Sequence, residues 1–314
     1  MTLQTRQWLI FFSLLAGFPF FFFGGPDYHA VRSFKAAWDL GHILFFTLLS
    51  WLLCIRLLPQ VVDKKISVLF LQVFLAVFCI GLGVELVQMI LGNRYPGISD
   101  ILRNQLGCLV AIAFFCPIRS TVRRQFRFLF QLIVVVFLFF AVWPLTRAII
   151  DEKIARQQFP VLSDFETPFE RWRWHNINQL QIDETVVRHG RKSVKIQLTT
   201  ATYSGASLFY FLKDWRKFNW LHFSVYNPDL APLALHCRIH DVHHAEYGQI
   251  FTDRFHKRFL LQTGWNDIEI SLAEIKSSPA GRVMDMQQIE GFGIFVVRQS
   301  QPRIIFLDHV YLRR

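Results

Sequence analysis

The stretch GLGVELVQMILGNRYPGISDILRNQLG, from Gly81 to Gly107, decides the architecture of the first half of the chain. It holds two apolar runs separated by a short turn, and its polar residues include Glu85, Gln88, Arg94, Asp100 and Asn104. An ionisable side chain at membrane depth costs roughly 2.5–3.5 kcal/mol, so such residues face the interior of a helical bundle and commonly mark function. The stretch predicts a hairpin of two antiparallel transmembrane helices with polar groups between them.

The spacing of these residues predicts a shared pocket. Glu85 and Gln88 are three residues apart and lie on one face of the first helix. Asp100 and Asn104 are four residues apart on the second helix, where small residues at the following turns allow close helix approach. Arg94, in the turn, can reach both carboxylates. We expect an outward-facing pocket, and the alternative that Asp100 only caps its helix stays open.

Five apolar runs predict a five-helix transmembrane bundle around this hairpin, because each approaches the roughly 20 residues that cross a hydrocarbon core. The runs are Trp8–Phe23, Trp38–Leu58, Ile66–Leu91, Ile101–Cys116 and Phe128–Ile150. Basic loops follow the second and fourth runs, which predicts a cytoplasmic amino terminus and an extracytoplasmic carboxyl half. The first run could instead be a signal peptide. We expect a kink at Pro144.

Charge also divides the chain near residue 150. Residues 1–150 contain 13 Lys and Arg against 5 Asp and Glu, whereas residues 151–314 contain 21 against 18, so the halves carry +8 and +3 of the net +11. The basic excess belongs to the apolar half, where it anchors cytoplasmic loops. No stripe of basic residues interleaved with aromatics indicates nucleic-acid binding in the second half. That half has one cysteine, which excludes a disulfide within it.

The hairpin pattern E-x-x-Q, then R, then D-x-x-x-N-x-x-G resembles the VanZ-like membrane family, whose founder is associated with teicoplanin resistance. Here the pattern is formed by Glu85 to Gln88, by Arg94, and by Asp100 to Gly107. Asp39 and His42 open an upstream apolar helix, as in that family, but one residue closer together. The resemblance implies a multi-pass protein of the bacterial cytoplasmic membrane and cell envelope, and it implies no particular reaction.

The resemblance covers roughly residues 30–145. Within it, Arg94 and Arg103 can grip a phosphate or carboxylate, because a guanidinium offers paired donors. Glu85 and Asp100, close together in a partly dry site, can have one pKa raised and transfer a proton. We therefore expect recognition of a lipid-linked or anionic envelope molecule. The alternatives are acid–base catalysis by Glu85 and Asp100 on a lipid-linked substrate, and a non-catalytic scaffold whose second domain binds a protein.

After Asp151 the apolar pattern changes from long runs to short, often alternating ones. Seven of them are separated by turn residues: Val194–Leu198, Ser207–Leu212, Leu221–Tyr226, Leu233–Ile239, Asp267–Leu272, Gly291–Val297 and Arg303–Leu312. Strands at this spacing predict an all-β sandwich over residues 161–314. Residues 151–160 are expected to be a short tether after the helical domain at 1–150.

Several fragments of this half resemble jelly-roll carbohydrate-binding modules and related galactose-binding-like domains. They are Asp164-Phe165-Glu166, His189 to Lys195, Tyr226-Asn227-Pro228, Gly264-Trp265-Asn266 and Phe306 to Val310. The resemblance implies that the sandwich binds an envelope glycan through exposed aromatic and polar side chains. The candidate ligand-binding residues are Trp172, Trp174, Tyr203, Trp215, Asp241, His243, His244 and Arg254. The alternative for each tryptophan is a place in the sandwich core.

The same resemblance implies a structural Ca²⁺ held by acids near the first and last strands. Glu166 and Asp308, with Asp164, stand at those ends, and calcium prefers hard oxygen ligands. The alternative is ordinary turn polarity. The spacing His240-x-x-His243 lacks the third ligand that a zinc site needs. No nucleophile elbow, phosphate-binding loop or dinucleotide fingerprint indicates another enzyme class.

Overall fold

The computed structural model describes residues 3–27, 29–57, 66–91, 97–116, 123–176 and 179–314, with the backbone alone at residues 3, 66 and 67. It contains two compact units, Met1–Ala148 and Ile149–Arg314. The first is helical, and the second contains two antiparallel sheets. The predicted fold class, a region of apolar helices followed by a β-sandwich, is confirmed.

Five long helices occupy the described part of the first 158 residues: α1 Leu3–Gly17, α2 Arg32–Leu57, α3 Ile66–Leu91, α4 Ile98–Val110 and α5 Arg124–Gln158. A 3₁₀ turn, Phe18–Phe21, follows α1, and a π turn, Ala111–Phe115, continues α4. By length and composition, four helical segments of the described residues can cross a membrane: α2, α3, α4 with its π turn, and α5.

Helix α5 differs from its expected bounds. It runs through Pro144 and ends at Gln158, so most of the expected tether is helical. The residues after Ile150 include Glu, Lys, Ala, Arg and Gln, which are strong helix formers. In addition, Asp151 is fully buried in the second unit and forms an ion pair with buried Arg173. Composition alone did not distinguish a polar tether from a polar continuation of the helix.

Helices α2 and α4 pack closely at Gly107. A Cβ added there would lie 2.5 Å from the carbonyl oxygen of Ile43 and 2.9 Å from the backbone nitrogen of Thr47. The hydroxyl of Thr47 lies within hydrogen-bond distance of the Ile43 and Gly107 carbonyl oxygens, at 2.7 and 3.1 Å. A small residue at this position is therefore required for the helix contact, as the sequence predicts.

The second unit contains eleven strands in its described residues: β1 Val161–Ser163, β2 Trp174–His175, β3 Leu180–Asp183, β4 Ser193–Leu198, β5 Tyr203–Leu208, β6 Trp220–Asn227, β7 Leu233–Asp241, β8 Phe255–Leu261, β9 Gly264–Ser271, β10 Ile289–Val297 and β11 Arg303–Arg313. A short helix, α6 Leu272–Lys276, follows β9. The six-stranded sheet has the order β3-β4-β11-β6-β9, with β1 also pairing to β11. The five-stranded sheet has the order β2-β5-β10-β7-β8.

The core lies between the two sheets and follows the period-2 pattern of the strands. Along β7, Leu233, Leu235, Cys237 and Ile239 are buried, and the residues between them are half-buried on the other face. The large buried side chains Phe223 and Phe292 contact each other across the core. This alternation leaves every second residue of β7 on the outer face of the five-stranded sheet.

Two strands of that sheet differ from the sequence prediction. Strand β5 begins at Tyr203 rather than Ser207, because its first half, Tyr-Ser-Gly-Ala, has too little apolar area to form an obvious run. Strand β8, Phe255–Leu261, was not predicted. Its outward residues are His256, Arg258 and Leu260, and Lys257 lies among its inward residues, so no clear apolar alternation marks the strand in the sequence. Both strands border the site described next.

Candidate functional site

A groove of about 340 Å³ lies on the outer face of the five-stranded sheet. The strand register builds it, since directly paired residues of neighbouring strands share one face. Gly293 of β10 pairs with Ser207 of β5 and with Arg238 of β7. Ten residues line the groove: Asn176, Tyr203, Ser204, Gly205, Ala206, Ser207, Arg238, Arg254, Ile294 and Phe295. This described lining contains no Asp or Glu.

Glycines of the central strand form the floor beneath these side chains. A Cβ at Gly293 would lie 2.9 Å from the Ser207 hydroxyl oxygen and 3.0 Å from Nε of Arg238. A Cβ at Gly291 would lie 2.5 Å from the ring of His240. The absence of a side chain at Gly291 and at Gly293 therefore lets His240 and Arg238 lie across the central strand.

Tyr203 forms an exposed aromatic wall at the start of β5. Its side chain is 69% exposed, and its ring meets the half-buried ring of Phe295 edge to face, with centroids 5.8 Å apart. An aromatic ring with a free face and a hydroxyl presents both apolar area and a polar tip. Nearby polar groups include Ser204, Ser207 and Asn176, whose amide donates to the carbonyl oxygen of Gly205 at 3.2 Å.

Two arginines give the groove its fixed charge. Nη2 of Arg238 lies 3.5 Å from the Ser207 hydroxyl oxygen. The Arg254 guanidinium lies 5.4 Å from the centre of the Phe251 ring, and its Nε is buried without a hydrogen-bond partner among the described residues. Burial lowers the pKa of Arg254, and the positive charge of Arg238 lowers it further. The two cations therefore repel each other in a partly desolvated site.

Three histidines continue this face beside the arginines. Nδ1 of His236 lies 3.0 Å from Nε2 of His256, and the two rings are stacked. Burial lowers the pKa of His236, His240 and His256, and nearby positive groups add to the shift. The pKa of His240 falls to about 3. At neutral pH these imidazoles are uncharged, so the arginines carry the positive charge of the face.

An ion-pair network fixes the loop that leads to Arg254. Arg282 donates to both carboxylate oxygens of Asp241, at 2.6 and 2.8 Å, and to both of Asp253, at 2.6 and 2.8 Å. Burial alone would raise the pKa of Asp241, but the hydrogen bonds from Arg282 and the Asp285 N–H lower it overall. Buried His244 lies 3.1 Å from the Asp253 carboxylate.

The predicted ligand-binding residues fall into two groups, those that hold this loop and those that line the groove. Asp241 and His244 form part of the loop network, whereas half-buried His243 lies 3.0 Å from the Glu246 carboxylate. Tyr203 and Arg254 line the groove together. The predicted set is thus divided between a supporting loop and an open surface.

The three predicted tryptophans lie outside the groove lining. Trp174 is 3% exposed and donates its indole N–H to Ser163 at 3.0 Å. Trp215 is fully buried and donates to the Leu212 carbonyl oxygen at 3.1 Å. Neither leaves a ring face for a ligand, in agreement with the core alternative. Trp172 is partly exposed on the 3₁₀ turn Glu170–Arg173.

The three predicted calcium ligands accept hydrogen bonds from backbone N–H groups. Oε1 of Glu166 accepts from the nitrogens of Arg191 and Lys192, at 2.6 and 2.8 Å. Oδ2 of Asp308 accepts from two nitrogens of the same loop, and Oδ1 of Asp164 accepts from the nitrogen of Glu166. No group of three or more His, Cys, Asp or Glu residues within the described ranges is arranged to hold a metal ion. The acids thereby shape the loop before β4. A calcium site among them stays a prediction, since Oδ1 of Asp308 is buried without a hydrogen-bond partner among the described residues.

In the helical unit, the predicted polar residues form two clusters. Nδ1 of His42 lies 2.9 Å from Oδ1 of Asn104, and both side chains are buried. Arg103 forms an ion pair with Asp100 and a second with Asp39, the latter at 2.9 Å. Helices α2 and α4 are thus joined by polar contacts next to the glycine contact.

The remaining hairpin residues contact backbone. Oε2 of Glu85, a residue only 2% exposed, accepts from the nitrogen of Gly97 at 3.1 Å, which is the N-cap position of α4. A carboxylate at a helix amino terminus is stabilised by the free N–H groups there. Gln88 donates to the Phe21 carbonyl oxygen at 2.7 Å. Arg94 lies outside the described residues.

Several groove residues were missed from the sequence. Arg238 and His236 alternate with buried residues along β7, and this His-Cys-Arg-Ile-His pattern could have revealed them. Phe295 and Gly293 gave no such signal, because their strand is almost entirely buried. Their place in the groove depends on which strands are neighbours.

Comparison with known proteins yields structural likenesses only. No protein-family model matches the chain, and no curated protein matches it. The sandwich is similar to a family 11 carbohydrate-binding module from Clostridium thermocellum in complex with a beta-1,3-1,4-mixed-linked tetrasaccharide, with 15% identity over 49% of this chain and 94% of that one and a TM-score of 0.35.

Two further solved structures show the same degree of likeness. A family 28 module specific for non-crystalline cellulose has 13% identity over 49% of this chain and 94% of that one, with a TM-score of 0.34. An exo-beta-agarase has 13% identity over 49% of this chain and 24% of that one, with a TM-score of 0.39. Likeness of this size concerns the architecture of the sandwich and not its ligand.

Proposed function

We propose that this chain is an integral protein of the bacterial cytoplasmic membrane whose sandwich binds a glycan of the cell envelope. The main support for glycan binding is the groove on the five-stranded sheet. An exposed tyrosine ring stands beside a glycine floor, and hydroxyl, amide and guanidinium groups surround it.

These groups match the surface of a sugar chain. A pyranose ring has an apolar face of C–H groups, which can pack on the ring of Tyr203, and a rim of hydroxyls, which exchange hydrogen bonds with Ser, Asn and Arg side chains. A groove of about 340 Å³ lies within the usual size range of small-ligand sites. Because the groove is open rather than enclosed, a longer polymer can extend beyond it.

Tyr203→Ala tests the proposal with the full chain purified in detergent micelles. We expect glycan affinity to fall at least about fivefold, because truncation of a central tyrosine anchor typically costs more than about 1 kcal/mol. Binding to purified peptidoglycan sacculi and to soluble polysaccharides is measured by pull-down and calorimetry. The matched control is Tyr247→Ala, since Tyr247 is 53% exposed and lies outside the groove lining.

Two outcomes would contradict the proposal. One is the recovery of a protein partner with no glycan bound by the unaltered chain, which would favour the scaffold alternative. The other is an equal loss in both tyrosine variants, which would show that the groove is not the contact.

The proposed orientation places the amino terminus in the cytoplasm and residues 151–314 outside it, which requires α1 to cross the membrane as a fifth span beside the four long apolar helices. It is supported by the basic residues that follow the second and fourth apolar runs. Alkaline phosphatase fused after Pro160 should be active, and a fusion after Arg124 should be inactive. The reverse activities would place the groove in the cytoplasm and remove the envelope glycan as a ligand.

For the helical unit we propose membership in the VanZ-like family and a polar site for a lipid-linked or anionic envelope molecule. Its support is the cluster in which Arg103 joins Asp39 and Asp100, beside the buried pair of His42 and Asn104. A guanidinium held between helices can also donate hydrogen bonds to a phosphate at the membrane surface.

Native mass spectrometry with undecaprenyl phosphate tests this membrane site. Arg103→Gln should reduce the bound fraction about tenfold, in line with the loss of a charged hydrogen bond. Arg124→Gln is the matched control, because Arg124 is exposed at the start of α5. Equal lipid binding by both variants would argue that the cluster is structural.

A further inference from the structure

The charge of the groove restricts the class of glycan that it can bind, provided that the proposed glycan-binding function is correct. Arg238 and Arg254 both line it, and its described lining contains no carboxylate. Elsewhere in the sandwich, several arginines are paired with acids. Arg188 contacts Asp267 at 2.7 Å on the outer face of the six-stranded sheet. The groove is therefore a local site of positive potential in a nearly balanced domain.

The Arg254 side chain also offers a ligand an unsatisfied hydrogen-bond donor. Its Nε is shielded from solvent and has no hydrogen-bond partner among the described residues. A buried donor without an acceptor is unfavourable, and an anionic oxygen is the acceptor that satisfies a guanidinium best. A neutral hydroxyl could also accept from Nε, but it would not offset the repulsion between Arg254 and Arg238.

The position of the arginines relative to Tyr203 fits a polymer. Strands β5, β10 and β7 are neighbours in that order, so Tyr203 and Arg238 lie on opposite sides of the glycine-bearing strand. A sugar ring packed on Tyr203 can thus direct an acidic substituent, or the next residue of the chain, across the floor toward the arginines. The groove combines a stacking surface with an anion site.

We infer that the sandwich binds an acidic glycan, with the pyranose face on Tyr203 and a carboxylate or sulfate group at Arg238 and Arg254. The two kinds of acid share the chemistry that a guanidinium recognises, a planar or branched set of anionic oxygens. Nucleic acid is the alternative ligand, because its phosphates could contact the arginines and its bases could stack on Tyr203. The small net charge of +3 over residues 151–314 and the restriction of the groove to two arginines favour the glycan.

The test uses polymers that differ in charge but not in backbone. Polygalacturonate is compared with its fully methyl-esterified form, and dextran sulfate is compared with dextran, by calorimetry with the full chain in micelles at 0.15 M salt. We expect at least one acidic polymer to bind at least about tenfold more tightly than its neutral partner, because a hydrogen bond to a charged group is worth more than a neutral one. The pair of polymers with the larger difference in affinity shows whether the groove prefers carboxylate or sulfate groups.

Arg254→Gln and Arg238→Gln should each remove most of this preference for charge. Arg191→Gln is the matched control, because Arg191 is exposed, precedes β4 and lies outside the groove. Equal losses in the control would mean that the preference comes from the overall basic charge of the chain, and would overturn the inference. Thermal unfolding of each variant verifies that it is folded.

Each remaining outcome bears on one of the two proposals. Equal binding of charged and neutral partners, or sacculus binding that depends on Tyr203 but not on either arginine, overturns the acidic class and leaves glycan binding intact. Binding to none of the four polymers also overturns it. A single-stranded oligonucleotide that binds as tightly as the acidic polymers overturns the glycan identity of the ligand.

Discussion

The groove and the loop network at the end of the same sheet are both built on arginines, yet they differ in what surrounds the guanidinium. Arg282 is held by two carboxylates of its own chain, whereas the described lining around Arg254 and Arg238 has none. Arg282 is neutralised by acids of its own chain, whereas Nε of Arg254 is buried without a hydrogen-bond partner among the described residues. The two arginines therefore differ in the hydrogen-bonding capacity that is left for a ligand.

Removal of Arg282 should have the largest effect on stability. Arg282→Met leaves the buried carboxylates of Asp241 and Asp253 without their partner, and breaking a buried pair in this way typically costs about 3–5 kcal/mol. Urea unfolding followed by tryptophan fluorescence measures the loss, because buried Trp215 reports on the sandwich core. Arg216→Met is the control.

The control removes an exposed pair, in which Arg216 contacts Asp214 at 2.8 Å. Exposed pairs contribute little, so its free energy of unfolding should change by less than about 0.5–1 kcal/mol. A similar small change in Arg282→Met would show that the network does not hold the loop, and the contrast with the groove would disappear.

Acidification should have the next largest effect, through His240. Its pKa in the folded chain is about 3, because of burial and the positive charge of His244, Arg238 and Arg254, against 6.5 for a free histidine. Below about pH 6.5 the unfolded chain takes up a proton that the folded chain does not, so stability present above that pH is lost as the pH falls. From pH 7 to pH 5 we expect a loss of about 2 kcal/mol at this residue.

His240→Gln should flatten the unfolding free energy measured between pH 7 and pH 5. A smaller slope remains, because the pKa values of His236 and His256 are lowered in the same direction. The lowered pKa values of Asp241 and Asp253 act in a separate window, below about pH 4. An unchanged slope in the variant would mean that His240 is not held neutral by the groove.

Arg254→Gln should have the smallest effect on stability, and in the opposite direction from Arg282→Met. It removes a partly desolvated charge whose Nε has no partner among the described residues, so the free energy of unfolding should stay constant or rise by about 1 kcal/mol. The same urea titration measures it. A loss of more than about 1 kcal/mol would assign Arg254 to the scaffold rather than to recognition.

The sequence predicted the helical half well where the signal was local. Long apolar runs gave the helices, and the four-residue and three-residue spacing after Asp100 placed Gly107 at a helix contact. The partners of the polar residues were not predictable. Asn104 meets His42 rather than the facing acid Glu85, because contacts across helices depend on rotation and tilt, which the spacing within one helix does not determine.

In the sandwich, too, the sequence predicted the secondary structure better than the positions of individual side chains. Period-2 runs gave most strands, but Trp174 and Trp215, chosen as ligand contacts, lie in the core, and Tyr203 lies on the surface. Residue type cannot separate these cases, since a large aromatic side chain serves equally well in either place. The outward alternation along β7 was present in the sequence, but its importance depends on the strands that flank it.

The sequence by itself determined the two-part architecture, the apolar helices and the alternating strands, because these follow from the local period of apolar residues. Tertiary structure decided which polar residues form a site. The order β5-β10-β7 brings together Tyr203, Gly293 and Arg238, which are far apart in sequence. In α4 and in the groove alike, the partners of the polar residues are set by packing between elements, by contacts with α2 in the first case and by strand pairing in the second.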